Sequence, residues 1–375
     1  MKPKTKSTLR VYETDASGIS GNALEVFFPS TIAEVSNIVR ANKRIVVRGG
    51  GTGLVGGCVP LQGQDVVLDL SKLNFFGEFD KDRKTIEVGA GVVLDDLQNY
   101  LEEYDLEFPV NPSSHSVCTI GGMIATDAVG SRAGLYGKTS KWIKWIEIID
   151  SDGKISRKGA TELSDYSGME GITGVIVKAC LKLNEIKNRT ATLFSSESLE
   201  EIIDVARSLK RNSEVSMIEF LDKKISSWIG LENKYYLIIE YESGDGELKE
   251  EAYKNLMKLR DNVYPILAQN GFCRIEDPQI LLDKFEKLML FLEENKIPVF
   301  GHLSVGILHP CFSKEQENLV LDLMKITKRL SGKISGEHGI GLLKKEFVEA
   351  NDKKILINIK KRTDNENKFN VGKVI

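Results

Sequence analysis

The chain has four histidines, and each falls in a glycine-rich or Pro-Ser stretch. His115 lies in Asn-Pro-Ser-Ser-His, His302 and His309 bracket His-Leu-Ser-Val-Gly-Ile-Leu-His, and His338 follows Glu337 in Ser-Gly-Glu-His-Gly-Ile-Gly. Pro298, Gly301 and Gly306 oppose a helix around the middle pair, so a strand-turn arrangement is predicted, and it would bring His302 and His309 together. Two imidazoles and a carboxylate suit Zn²⁺ or Mn²⁺ and leave positions open for a substrate's hydroxyl and carboxylate. A neutral histidine beside such an ion can take the proton of the hydroxyl that the ion acidifies. The same residues also suit a plainer role, as satisfied polar groups packed at a domain interface.

A second chemistry resides in the backbone. In Arg48-Gly49-Gly50-Gly51-Thr52-Gly53-Leu54-Val55-Gly56-Gly57, successive N–H groups unblocked by side chains make a concave nest that suits a pyrophosphate, and Arg48 could add charge. Residues 51–56 match G-x-G-x-x-G after a strand, but Cys58-Val59-Pro60 follow where a Rossmann fold needs a helix. The loop instead joins two strands; the bland alternative is a tight turn without a ligand. Residues 111–130, from Asn111-Pro112-Ser113-Ser114 through Thr119, Gly121 and Gly122 to Gly130, are small and follow neither helical nor strand periodicity. Close approach of this backbone to a large ligand explains them.

These groups need a scaffold, and 375 residues allow two or three domains. Pro29-Ser30-Thr31 opens a capped helix on Ile32, Val35, Ile38 and Val39, with strands predicted at 45–47 and 66–70 on either side of the glycine loop. Further strands at 85–88, 143–149 and 175–183, with a helix at 94–103, make an α+β domain over 1–188. From 189 to 330 a helix at 198–210, strands at 215–220 and 235–241, and helical patterns at 247–270 and 278–295 suggest an α+β cap with helices on one face. A helix from about Ser313 precedes a last segment, 331–375.

The net charge of −3 provides no basic field for nucleic acid. No run approaches the roughly 18 apolar residues of a membrane span, and a cytoplasmic location is the expectation. The five cysteines are dispersed without C-x-x-C spacing, so an iron–sulfur centre used for electron transfer would sit on a partner subunit.

With both glycine-rich segments in view, the chain resembles the vanillyl-alcohol oxidase flavoprotein superfamily, in its glycolate oxidase and D-lactate dehydrogenase branch. Tyr-Glu-Thr-Asp-Ala-Ser at 12–17, Leu-Asp-Leu-Ser-Lys-Leu-Asn at 68–74, Tyr136-Gly137, Gly-Met-Glu-Gly-Ile-Thr-Gly at 168–174 and Lys368-Phe369-Asn370 appear in the family order. The resemblance implies an FAD domain of two α+β subdomains plus a cap. It places Gly49 to Leu54 on the pyrophosphate, Pro112, Ser113, Ser114, Thr119, Gly121 and Gly122 on the flavin side, and Gly171, Gly174 and Ile176 on the adenine side. It adds Asp127, Gly130, Tyr136, Glu170 and Asn370 as cofactor contacts. It makes His302, His309 and Glu337 the metal ligands and His338 the base for hydride transfer from a small 2-hydroxy acid to flavin. Covalent members attach flavin through a histidine in the first loop; none is there, so non-covalent FAD is expected.

Several positions depart from the family. Asp127 replaces asparagine, Met123 asparagine, and Val129 glycine, while Ser304-Val305-Gly306-Ile307 replaces Gly-Asp-Gly-Asn and removes an acid and an amide. The stretch between Gly271 and Pro278 lacks the family's carboxylate-binding arginine, leaving Arg274, Arg132 or Lys344 as substitutes. These losses favour an alternative: a non-catalytic or electron-relaying FAD subunit of a hetero-oligomeric complex, peripheral to a membrane only through a partner. The main expectation is a dehydrogenase passing electrons to a quinone or a protein.

Overall fold

The computed structural model describes residues 10–61 and 63–375; the first nine residues of the first predicted domain lie outside them. Strands β1 (Ala23–Phe27), β2 (Ile45–Arg48) and β3 (Asp65–Asp69) form a parallel sheet in the order β1-β3-β2. The central β3 is buried at all five positions, as a parallel strand covered on both faces must be. Helix Ile32–Ala41 joins β1 to β2, with Thr31 accepting the Glu34 N–H as its cap; the Glu34 carboxylate reaches back to the Ser30 N–H. Among the described residues no helix lies between the glycine loop after β2 and β3, which excludes a Rossmann turn.

A second sheet contains β4 (Phe76–Asp80), β5 (Thr85–Gly89), β7 (Ile143–Ile149), β8 (Ile155–Gly159) and β9 (Val175–Lys182), antiparallel in the order β4-β5-β9-β7-β8. The short β6 (Leu106–Glu107) pairs with β10 (Asn184–Glu185). Helix Leu94–Glu102 buries Leu94, Leu97 and Leu101 against Ile120, Met123 and Ile124. Those last three belong to a helix, Ile120–Thr126, inside the segment whose sequence showed no helical period. Thr119 caps it by accepting the Gly122 N–H, and its paired glycines, poor helix formers, had masked it.

The cap is an antiparallel sheet of β11 (Thr190–Ser196), β12 (Val215–Leu221), β13 (Tyr235–Tyr241), β14 (Phe272–Ile275), β15 (Val299–His302) and β16 (Ile307–Ser313), in the order β11-β13-β12-β15-β16-β14. Helices cover both of its faces, not one. Helices Leu199–Leu209, Phe285–Glu294 and Leu319–Arg329 pack on Ile218, Phe220, Leu237 and Ile239, whereas Glu250–Asp261 and Val263–Gln269 pack on Met217, Tyr236 and Ile238. Neighbouring strand residues point to opposite faces, so the unbroken apolar run Tyr-Tyr-Leu-Ile-Ile needs cover on both.

The helix expected over 247–270 is two helices meeting at Asn262. Pro265 explains the break: within a continuous helix its ring would press on the Asp261 carbonyl, whereas in the first turn of a new helix it needs no N–H partner. The helix expected from Pro278 starts only at Phe285, because Gln279 is extended and bridges both Ile307 and Lys333. Likewise Ser313 caps a short 3-10 turn, Lys314–Gln316, before the helix Leu319–Arg329. The C-terminal residues return to the first sheet, where Phe369 bridges Ile45 in parallel. Among the described residues no helix is long and apolar enough to cross a membrane.

Candidate active site

A cavity of about 750 Å³, within the range of small-molecule sites, runs between the glycine-rich segments and the cap sheet. Of the expected cofactor residues it is lined by Arg48 to Leu54, Pro112 to Ser114, Thr119, Gly121, Gly122, Gly130, Glu170, Gly171, Gly174, Ile176 and Asn370. At its cap end lie His302, His309, Glu337 and His338. Two glycines account for the closeness of the first two segments. A side chain on Gly49 would strike the Thr119 hydroxyl, and one on Gly50 the Val117 carbonyl, so these residues let the two loops interlock. Gly51 adopts φ +71°, which L side chains rarely accept.

Two expected contacts fall elsewhere. Asp127 ends helix Ile120–Thr126 in the left-handed conformation and accepts the Ser140 N–H, which ties two turns of the first domain together. Tyr136 gives its hydroxyl to Glu242 and meets Arg189, which also binds Glu107; this charged cluster joins the first domain to the cap. Arg48 lines the cavity with its guanidinium packed against Gly51 and committed to the Thr14 and Val11 carbonyls, to Cys58, and to Asp69 at 3.9 Å. Asn370 spends its amide on the Glu170 carbonyl and the Val47 N–H. The Glu170 carboxylate accepts the Ile340 and Gly341 N–H groups, and burial raises its pKa to about 7. His115 holds Asp95 at 2.6 Å through Nδ1.

The histidine cluster follows from sheet register. β15 and β16 form the expected strand-turn pair, with His302 opposite Ile307 and Phe300 opposite His309, which puts both imidazoles on one face with ring centroids 5.1 Å apart. On the other side of β15, His302 pairs with Glu219 of β12, whose carboxylate holds Nδ1 at 2.7 Å. That bond leaves Nε2 facing Glu337 Oε2 at 3.9 Å, while His309 Nε2 lies 3.2 Å from Glu337 Oε1. The candidate ligand atoms of His302, His309 and Glu337 all lie within 4.8 Å of one another, and Glu337 Oε2 is buried without a hydrogen bond. A divalent cation fits this donor set, and Glu219 supplies the outer carboxylate that fixes a ligating imidazole's tautomer.

Glu337 and His338 are held by Asp277. One of its oxygens accepts the N–H groups of Gly336, Glu337 and His338 and the Ser335 hydroxyl, and the other binds Lys344. His338 stacks on His309 at 5.1 Å, with Nε2 3.3 Å from Glu337 Oε1 and Nδ1 3.6 Å from Asp277. Burial opposes charge on His338 and His302, but Asp277 and Glu219 respectively outweigh it and raise both pKa values; for His309 burial prevails and the pKa falls. Burial likewise works against Glu337, but the surrounding imidazoles, His309 foremost, bring its pKa well below the usual range.

A buried guanidinium lines the cavity at a position the sequence did not mark. Arg260, buried in the last turn of helix Glu250–Asp261, lines the cavity and meets Glu219 at 3.4 Å and Asp261 at 3.1 Å. The three substitutes are engaged elsewhere: Arg132 forks onto Glu240 at 2.7 and 3.1 Å, Arg274 binds Glu276, and Lys344 binds Asp277 and Glu276. Glu219, Arg260 and Asp277 were therefore missed. Glu219 alone had a signal, a lone carboxylate inside the apolar run Val-Ser-Met-Ile-Glu-Phe-Leu.

Residues 23–159 match the family model "FAD binding domain", and residues 247–374 match "FAD linked oxidases, C-terminal domain". A D-lactate dehydrogenase of Archaeoglobus fulgidus is 29% identical over 92% of this chain and 90% of its own length. A D-2-hydroxyglutarate dehydrogenase of Xanthomonas citri pv. viticola is 27% identical over 87% and 83%, and the glycolate oxidase subunit GlcD of Bacillus subtilis 28% over 93% and 88%. A solved alkyldihydroxyacetonephosphate synthase superposes with a TM-score of 0.68 at 15% identity, covering 98% of this chain and 83% of that one, which shows the shared fold.

Proposed function

Because the chain belongs to the FAD-linked oxidoreductases of the vanillyl-alcohol oxidase type, in the glycolate oxidase and D-lactate dehydrogenase branch, we propose that it oxidises a small 2-hydroxy acid to the 2-oxo acid. The observation that carries this reading is the convergence of His302, His309, Glu337, His338 and Arg260 on one end of the cavity whose other walls are the glycine segments. FAD, held without a covalent bond, supplies the acceptor for the carbon-bound hydrogen. A Zn²⁺ or Mn²⁺ ion on His302, His309 and Glu337 would supply a Lewis acid for the hydroxyl.

The chain's own groups then have separate tasks. Arg260 binds the substrate carboxylate, its planar fork suiting a two-oxygen partner. His338 takes the hydroxyl proton at Nε2, the nitrogen turned toward Glu337, while Asp277 stands on the Nδ1 side. Glu219 orients both Arg260 and His302. Electrons leave to a quinone or a protein acceptor. A second reading, a flavin subunit that relays electrons without turnover, is favoured by the likeness to a protein named as a subunit of glycolate oxidase.

The test is anaerobic addition of glycolate, D-lactate, larger 2-hydroxy acids and glycerol phosphate to the purified flavoprotein. Bleaching of the flavin by a 2-hydroxy acid is expected, with His338→Ala retaining flavin but losing reduction by at least about a hundredfold. Emission spectrometry should find about one Zn or Mn per chain, lost in Glu337→Gln. Flavin that no acid reduces would replace this reading with the relay subunit.

A further inference from the structure

We propose that the substrate is a 2-hydroxy monocarboxylate with an apolar side chain, alkyl or aryl, and not a 2-hydroxy dicarboxylate; this rests on the dehydrogenase reading above. The first observation is the charge of the cavity. Among the described residues Arg48 and Arg260 are the lysine or arginine side chains that line it, against four carboxylates, Glu170, Glu219, Asp261 and Glu337. Arg48 is committed to the Thr14 and Val11 carbonyls and to Asp69, so Arg260, which meets Glu219 and Asp261 within the cavity, is the guanidinium placed beside the imidazoles for a carboxylate. A second carboxylate on the substrate would find, among the described residues, no further lysine or arginine in the cavity wall and would lie beside Glu219, Asp261 and Glu337.

The wall beyond Arg260 is apolar. Leu54, Val263, Ile275 and Phe300 line the cavity and belong to one packed cluster, and the Phe300 ring lies 4.7 Å from that of His309. Thus an apolar patch stands beside the imidazoles. The residues between the two histidines agree with it: Val305 and Ile307 pack with Val129 and Ala133 in a small apolar cluster, and Val129 also lines the cavity. The departures at 129, 305 and 307 are therefore one packed unit, and it offers a substrate side chain no hydrogen bond.

The inference is tested on the FAD-loaded enzyme with D-lactate, D-2-hydroxybutanoate, D-2-hydroxy-4-methylpentanoate, D-phenyllactate and D-2-hydroxyglutarate. Two quantities are read, kcat/KM for flavin reduction and the calorimetric Kd of the matching 2-oxo acids. Each methylene added to the alkyl series should tighten binding about fourfold, and the five-carbon diacid should bind at least about a hundredfold more weakly than the 4-methyl acid. Ile275→Lys, which puts a second cation into the wall, should narrow that gap at least about tenfold; if it does not fold, Phe300→Lys serves the same purpose. A diacid equal to or better than the alkyl acids overturns the inference and leaves the dehydrogenase reading standing. Absence of both reduction and binding for every acid overturns the two together.

Discussion

Replacing Asp277 with asparagine tests how the turn carrying Glu337 and His338 is held. Its carboxylate is fully buried, and one oxygen accepts N–H groups from Gly336 at 2.9 Å, Glu337 at 2.7 Å and His338 at 2.7 Å, while the other binds Lys344. A carboxamide has one oxygen for these two duties, so its NH₂ must face either the turn's donors or the ammonium. Losing half of a buried ion pair costs about 3–5 kcal/mol, and Glu276, 3.1 Å from Lys344, keeps the loss at the low end. A loss of about 3 kcal/mol, at about 2.1 cal/mol/K per residue, corresponds to a fall in Tm of about 4 °C if the chain unfolds as one unit. The pH dependence should change with it. Burial resists ionisation of Asp277, but Lys344 and His338 outweigh it and bring the pKa from 3.8 to about 2. A depressed carboxyl pKa adds stability above the unfolded value, lost as pH falls toward the folded one. The parent should therefore lose about 2 kcal/mol between pH 4 and pH 2 that the variant never had. Flavin reduction should slow about tenfold to a hundredfold as Glu337 and His338 lose their register, with flavin content unchanged, because Asp277 does not line the cavity. Thermal melts across pH and anaerobic stopped-flow reduction measure these effects. A variant with the parent's Tm and a rate within about twofold would refute the positioning argument.

Glu170 has the opposite sign. Burial raises its pKa from 4.5 to about 7, so the native state favours the neutral acid, and this stability is complete below pH 4.5 and lost as pH rises through 7. The interval corresponds to about 3 kcal/mol, and Glu170→Gln should flatten the parent's decline between pH 5 and pH 8 in thermal melts; a parent that gains stability over that range relative to the variant contradicts the assignment. Gly50→Ala places a methyl against the Val117 carbonyl and should prise the two glycine segments apart, reducing the 450 nm to 280 nm absorbance ratio of the purified protein at least about fivefold. Gly159→Ala, where an added methyl meets open space, should keep full flavin; equal flavin in both variants would show that the interlock is not needed for binding.

Much of the cofactor side was legible in the chain. A run such as Arg-Gly-Gly-Gly-Thr-Gly-Leu announces exposed backbone because glycine's freedom is a property of the residue itself, and capping at Thr31 and Ser198 is settled within four residues. The His302–His309 hairpin was equally readable, since Pro298, Gly301 and Gly306 leave little but a turn between two short strands. The three misread helices have separate causes: paired glycines hid the helix at 120, Pro265 split the one at 262, and the bridges of Gln279 delayed the one after 278.

The working end of the site was decided by tertiary structure. Arg260 meets Glu219 across 41 positions, His302 meets Glu219 across 83, and His338 meets Asp277 across 61, so none of these pairs leaves a local spacing to recognise. Residue type shows which groups can ionise; only the sheet register of β12 against β15, and the helix turn that brings Arg260 beside them, shows which buried charge each one answers. The sequence by itself determined that this chain has a flavin cradle and a metal-suited histidine set. The fold decided that the guanidinium of Arg260 and an apolar wall stand beside them, because burial leaves each charge to be balanced by whatever the chain brings into contact, at whatever separation in sequence.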